Sequence, residues 1–209
     1  MNILTKLNLI PNYIYETLVT TYNSEDKTPN AAPMGISLLN EKEVVIAPYI
    51  TTQTFRNIEQ TGCAVINFTY NLDLFFESTF STQRPKLPSQ LFKQSKKVEA
   101  PFLKDAFARI EVKILEIQKD TKRAKIRAAI IGWDSTQIPF FPINRGYNLV
   151  LESMIHATRI LEFENEEEII GPLKELILKY RTIVNKVAPE GKLIEIMRKI
   201  EKIIGNKEG

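Results

Sequence analysis

The chain has 209 residues, 44% of them hydrophobic and 25% charged, with a net charge of +3. That balance suits a globular chain long enough to bury a core, and it is too weakly basic for nucleic acid to be the main partner. One cysteine, Cys63, and one histidine, His156, exclude an intramolecular disulfide and argue against a metal centre built on either residue type. No stretch approaches the ~20 apolar residues of a membrane span. The first ten residues lack a signal-like apolar core, so no membrane partner and a cytoplasmic location are expected.

In chain order, residues 13–22 are rich in β-branched and aromatic side chains and predict a strand. A polar loop over 23–30 leads to a second strand over 31–39. Asn40, Glu41 and Lys42 turn the chain into a third strand over 43–48. Short connections make these three an antiparallel meander, since parallel neighbours need a long crossover. Residues 51–61 predict a short helix stopped by Gly62, followed by a strand over 63–69 in which Cys63 is a small core residue. Residues 71–80 read as a short helix opened by an Asn or Asp cap. Residues 81–101, with three prolines and many polar side chains, read as a long surface loop.

Residues 107–118 alternate, with Ile110, Val112 and Ile114 on one face and Arg109, Glu111 and Lys113 on the other. After a turn over 119–122, residues 123–133 return with Ala124, Ile126, Ala128 and Ile130 aligned, which predicts a β-hairpin. Beyond Pro142 the period lengthens from two to 3.6. A long helix is expected over 143–163, then two amphipathic helices joined through 187–191. The expected class is α+β: an antiparallel barrel over residues 1–142, closed or nearly so, with C-terminal helices over 143–209.

Three segments carry chemical interest. Tyr49, Thr51, Thr52, Thr54, Arg56 and Asn57 stand where a strand hands over to a helix. The unpaired N–H groups of such a helix start attract anions, and a phosphate would fit there; plain N-capping by Thr51 or Thr52 accounts for the same residues. Asn30, Ala32, Pro33, Met34 and Gly35 place Pro and Gly in a strand interior. That marks either a broken ladder where a flat group approaches the backbone, or a β-bulge or barrel corner. Arg145, Glu152, His156 and Arg159 fall within about 60° of arc on one helix, as a solvated face or as a charged network lining a site. Walker, nucleophile-elbow and Gly-x-Gly-x-x-Gly motifs are absent.

The stretches Pro29-Asn30-Ala31-Ala32-Pro33-Met34-Gly35, the Thr-rich turn with Asn57, Val65-Ile66-Asn67, and Asn144-Arg145-Gly146 through His156-Ala157-Thr158-Arg159, in this order, resemble the FMN-binding split-barrel superfamily. That superfamily includes flavin reductases; the nearest likeness is to its uncharacterised branch, domain of unknown function 447. The resemblance implies a split barrel and a homodimer with FMN near the subunit interface. It also implies phosphate contacts from Thr51, Thr52, Thr54 and Arg145, and a ring framed by Ala32, Met34 and Gly35. Asn30, Pro33, Tyr49, Asn57, Asn67, His156 and Arg159 complete the expected FMN site. A flavin-dependent oxidoreductase of flavin reductase type is expected; a non-enzymatic FMN carrier or sensor is the alternative.

Overall fold

Strand-forming residues dominate the first two thirds of the chain and helix-forming ones the last third, and the observed elements follow that division. The computed structural model describes residues 2–80, 87–136, 141–163 and 166–205. The elements are α1 (Ile3–Lys6), β1 (Tyr15–Tyr22), β2 (Pro29–Leu38), β3 (Glu43–Ile46), α2 (Gln53–Thr61), β4 (Cys63–Phe68), α3 (Leu72–Thr79), β5 (Phe92–Gln94), β6 (Pro101–Leu103), β7 (Ala108–Lys119), β8 (Ala124–Ser135), α4 (Arg145–Glu162), α5 (Glu167–Val187) and α6 (Lys192–Gly205). They fall into two units: one runs to Pro11 and resumes over Tyr15–Ile143, and the other joins Asn12–Ile14 to residues from Asn144 onward.

The first unit is a closed antiparallel barrel of strand order β1-β2-β3-β8-β7-β4. The expected meander is β1-β2-β3, and the expected hairpin is β7-β8. Register shifts between Glu111 and Val112 and between Ile114 and Glu116 interrupt that hairpin, which lets its two 12-residue strands bend around the barrel. The closing pair is short: Leu18, Val19 and Thr20 of β1 face Asn67, Ile66 and Val65 of β4.

Two helix ends follow the sequence closely. Thr52 caps α2, its hydroxyl accepting from the Phe55 N–H, and Gly62 ends that helix at φ 68°. Only a residue without Cβ adopts this left-handed conformation cheaply. Asn71 caps α3 through the amides of Asp73 and Leu74. The short α1, with Ile3 buried and Asn2 as its cap, is too brief to show a helical period.

Residues 81–101 differ from the expected loop. Residues 81–86 lie outside the described residues, but the remainder forms a 3-10 turn, Ser89–Leu91, and the two-stranded sheet β5-β6. This segment is a second layer on β4. Val98, Ala100 and Phe102 pack on Cys63 and Val65, while Phe92 and Leu103 pack with Leu18, Ala31 and Leu74. All six residues of β4 are therefore buried, and the Cys63 thiol pKa is raised, mainly by that burial. Glu111, on the face opposite Ile110, Val112 and Ile114, is buried too, and its carboxylate accepts from Ser95 Oγ at 2.7 Å.

Asn67 joins the barrel seam to this second layer. Its Nδ2 donates to the Leu18 carbonyl (2.9 Å), Thr20 Oγ1 (2.9 Å) and the Val65 carbonyl (3.2 Å), and its Oδ1 accepts from the Leu103 N–H (2.9 Å). Thr20 Oγ1 in turn donates to the Pro101 carbonyl at 2.5 Å.

In the second unit, Val150 and Ile160 of α4, Ile177 and Val184 of α5 and Met197 of α6 are buried, as is Tyr13, whose hydroxyl donates to the Glu190 carbonyl at 2.6 Å. Burial holds that phenol pKa above its ordinary value, with smaller contributions from Tyr147 and Glu190. Asn144 caps α4 by accepting from the Gly146 N–H, and its Nδ2 donates to the carbonyls of Ile14 and Val187. Gly146 admits no side chain: a Cβ there would lie 2.8 Å from Asn144 Oδ1 and 3.2 Å from Leu193.

Replacing Asn67 with Ala removes four hydrogen bonds and leaves buried partners unsatisfied. A loss of about 3 kcal/mol is expected, read as a lowered urea midpoint at unchanged m.

Candidate functional site

The handover from β3 to α2 builds one side of the site. Thr51 is exposed, and Thr52 spends its hydroxyl on the cap and on the Tyr49 carbonyl at 2.8 Å. Arg56, on the first turn, donates from Nη2 to the Thr51 carbonyl at 3.1 Å and is otherwise exposed. The first N–H groups of α2 have no intrahelical acceptor, so this end of the helix carries partial positive charge beside a guanidinium.

Thr54 and Asn57 turn inward instead. Asn30 Nδ2 donates to Thr54 Oγ1 at 3.0 Å. Asn57 Nδ2 donates to Thr21 Oγ1 (2.9 Å) and Asn23 Oδ1 (3.0 Å), while Asn57 Oδ1 accepts from Gln53 Nε2 at 2.8 Å. Thr54, Asn57 and Thr21 are all buried. These side chains tie α2 to β1 and β2, and most of their capacity is used inside the protein.

Strand β2 forms the adjoining wall. It pairs with β1 without a break from Pro29 to Ile36, so no bulge occurs at Pro33 or Gly35. Pairing to β3 begins only at Ile36. Among the described strands, residues 29–35 thus have one open edge, which tolerates the missing N–H of Pro33. Ala32, Pro33, Met34 and Gly35 are half-buried along it.

Beside α2 and the start of β2 opens a cleft of about 630 Å³, lined among others by Asn23, Pro29, Asn30, Ala31, Gln53, Arg56 and Ser78. Its volume lies in the range of small-molecule sites. Of the expected site residues only Asn30 lines it. The start of α2 contributes Gln53 and Arg56 rather than its threonines. Glu25 and Asp26 add carboxylates to the lining. Ser78, on α3, was not singled out from the sequence; nothing in its local pattern separates it from an ordinary helix serine. It is buried, and its Oγ has no hydrogen-bond partner among the described residues.

The remaining expected residues stand elsewhere. Asn67 is fully buried in the barrel seam described above. Tyr49 lies against Arg123, whose guanidinium sits 4.2 Å from the ring centroid and donates to the phenol oxygen at 2.8 Å. Arg145, His156 and Arg159 belong to the helical unit, where Arg145, Glu152 and Arg159 are exposed and His156 is buried. The histidine stacks on Tyr180 at 5.9 Å, and its Nδ1 has no partner among the described residues. The four residues therefore do not share one solvated face. The buried side of α4 is made of small or medium residues such as Gly146, Val150, Ser153 and Ala157, while Tyr147, Leu151 and Met154 are exposed. Among the described residues no group of acidic, histidine or cysteine side chains could hold a metal, and no helix is long and apolar enough to cross a membrane.

The architecture has solved counterparts. An FMN-bound protein from Methanosarcina mazei is 26% identical over 93% of this chain and 96% of its own, with a TM-score of 0.54. Flavoredoxin from Methanosarcina acetivorans shares the fold at 16% identity, covering 65% of this chain and 77% of its own, TM-score 0.54. A split-barrel protein from Shewanella frigidimarina does so at 18% identity, covering 63% and 73%, TM-score 0.51. The barrel is accordingly a split barrel carrying additional helices. Models of the N-terminal and C-terminal parts of one family match residues 15–137 and 144–202, so the chain belongs to DUF447, a family described as proteins of unknown function.

Proposed function

We propose that this chain is an FMN-binding flavoprotein, acting as a flavin-dependent oxidoreductase of flavin reductase type. The observation that carries the reading is the cleft between the start of α2 and the open edge of β2. Its lining fits a flavin mononucleotide. Arg56 and the α2 N-terminus offer positive charge for one phosphate. Asn23, Asn30 and Gln53 offer amide groups, Ala31 and Leu87 apolar surface, and Ser78 a buried hydroxyl in need of a partner. The FMN-bound relative from Methanosarcina mazei supports the same assignment.

Bound FMN would supply hydride or electron transfer, chemistry no side chain of the cleft can perform. The protein's share is binding and orientation. Arg56, with the N-terminal amides of α2, would hold the phosphate. Ala32, Met34 and Gly35, next along the unpaired strand edge beyond the cleft lining, would frame the ring. The Asn30–Thr54 and Asn57–Thr21 hydrogen bonds keep helix and strand at fixed separation, so the site is built before the ligand arrives. A flavin carrier or sensor is the second reading. It is favoured by the absence of histidine, lysine, cysteine and tyrosine from the described lining of the cleft, which leaves Glu25 and Asp26 as its proton-exchanging groups.

A homodimer with the flavin near the subunit interface completes the proposal. It is supported by Leu72, Phe76 and Phe80, which recur every four residues on α3 and its C-cap and remain exposed. Light scattering should return twice the chain mass; a monomer at high micromolar concentration would count against the dimer.

Titration with FMN should saturate and shift the flavin absorption bands; no binding at high micromolar FMN sinks the cofactor assignment. Arg56→Gln should weaken FMN about tenfold, the scale of one lost charge-assisted contact. The same variant should leave riboflavin, which lacks the phosphate, unaffected. Anaerobic mixing of the loaded protein with NADH, NADPH and a reduced deazaflavin should bleach the flavin with at least one donor if the protein is an oxidoreductase. Persistent colour with all three favours the carrier.

A further inference from the structure

Ser78 lies one helical turn after Leu74 on α3, and Leu74 packs in the same apolar cluster as Ala31 of β2. Both Ala31 and Ser78 line the cleft. Ser78 therefore sits along the strand that borders the site, across from the Gln53 and Arg56 side contributed by α2.

Its hydroxyl is unusual among helical hydroxyls of this chain. A buried serine or threonine in a helix ordinarily returns its proton to the carbonyl four residues back. Ser153, buried on α4, does so to Leu149 at 2.7 Å, and the exposed Thr79 and Thr182 do the same to Phe75 (2.7 Å) and Leu178 (3.2 Å). Ser78 makes no such bond, although it is only 3% exposed. A buried hydroxyl without a partner costs stability, and alanine in its place would be the more stable choice for the free protein.

Other polar side chains of the lining are already engaged. Asn30 donates to Thr54, Gln53 to Asn57, Ser24 to Gln60 and Arg56 to the Thr51 carbonyl, while Asp26 accepts from Thr28. Among the described lining residues, Ser78 Oγ is the buried side-chain polar atom left unpaired. Groups that are costly in the free protein and face a binding cleft are the ones whose partner arrives with the ligand.

We infer that Ser78 is a ligand-contacting residue of this cleft, its hydroxyl hydrogen-bonding a polar atom of the bound flavin. The inference rests on the FMN reading above and adds a contact that neither the sequence motifs nor the family resemblance assigns.

The test is Ser78→Ala in the full chain, measured by FMN titration and by thermal unfolding of the ligand-free protein. The expected result is FMN affinity reduced about tenfold, together with a melting temperature of the free protein equal to or above that of the wild type. This pairing separates a ligand contact from a structural role, because a structural hydroxyl would lower the melting temperature on removal. Unchanged FMN affinity, or a free protein that melts several degrees lower, overturns the role of Ser78 and leaves the FMN reading standing. A wild-type protein that binds no FMN overturns both.

Discussion

The architecture of the barrel unit depends on how the short β1–β4 seam is closed. Only three residue pairs join these strands, too few for the ladder alone to hold them. Asn67 supplies the missing connections from its side chain, bonding to β1 through Leu18 and Thr20 and to β6 through Leu103. A carboxamide is suited to this position because it donates and accepts at once, and here its donors and its acceptor are all used. Full satisfaction is what makes a buried polar group a source of specificity rather than a defect. With that seam closed, the β5-β6 layer can cover β4, and the barrel interior is sealed from that side.

A second polar cluster fixes the cleft. Thr21, Asn23, Asn30, Thr54, Asn57 and Gln53 form a chain of hydrogen bonds that locks α2 against β1 and β2. Thr54 and Asn57, two of the residues expected at the site, tie the walls of the cleft together. The groups around it whose capacity is open are the exposed charge of Arg56, the N-terminus of α2, the one-sided edge of β2 and the unpaired Ser78. Rigid walls with a few unspent polar groups are what a preorganised small-molecule site requires.

The helical unit shows the same division between positioning and exposure. In Asn144-Arg145-Gly146, the asparagine caps α4 and reaches two carbonyls, the glycine leaves room for Val187 and Leu193, and the arginine has an exposed side chain. The asparagine and the glycine thus have structural duties. His156 is drawn inward by stacking on Tyr180, although the helical wheel places it with Arg145 and Arg159.

Much of this was legible before any coordinates. Period-two alternation over β7 and β8, β-branched richness in β1, the shift to a 3.6 period after Pro142, and the helix-end signals at residues 51–52, at Gly62 and at the start of residues 71–80 are local signals, set by backbone sterics and by which side of an element meets water. The covering sheet β5-β6 was not legible, because its three-residue strands show no period and its register depends on contacts with β4 and β1. Nor could the fate of individual polar residues be read. Asn57 and Thr21 are 36 positions apart, and Asn67 and Leu18 are 49 apart. Sequence motifs alone singled out one neighbourhood for a ligand, the start of α2 beside β2, through helix-end chemistry and strand-breaking residues. Tertiary structure decided which of its polar groups are spent on the fold and which remain for a ligand, because a hydrogen bond is assigned by distance in space and not along the chain.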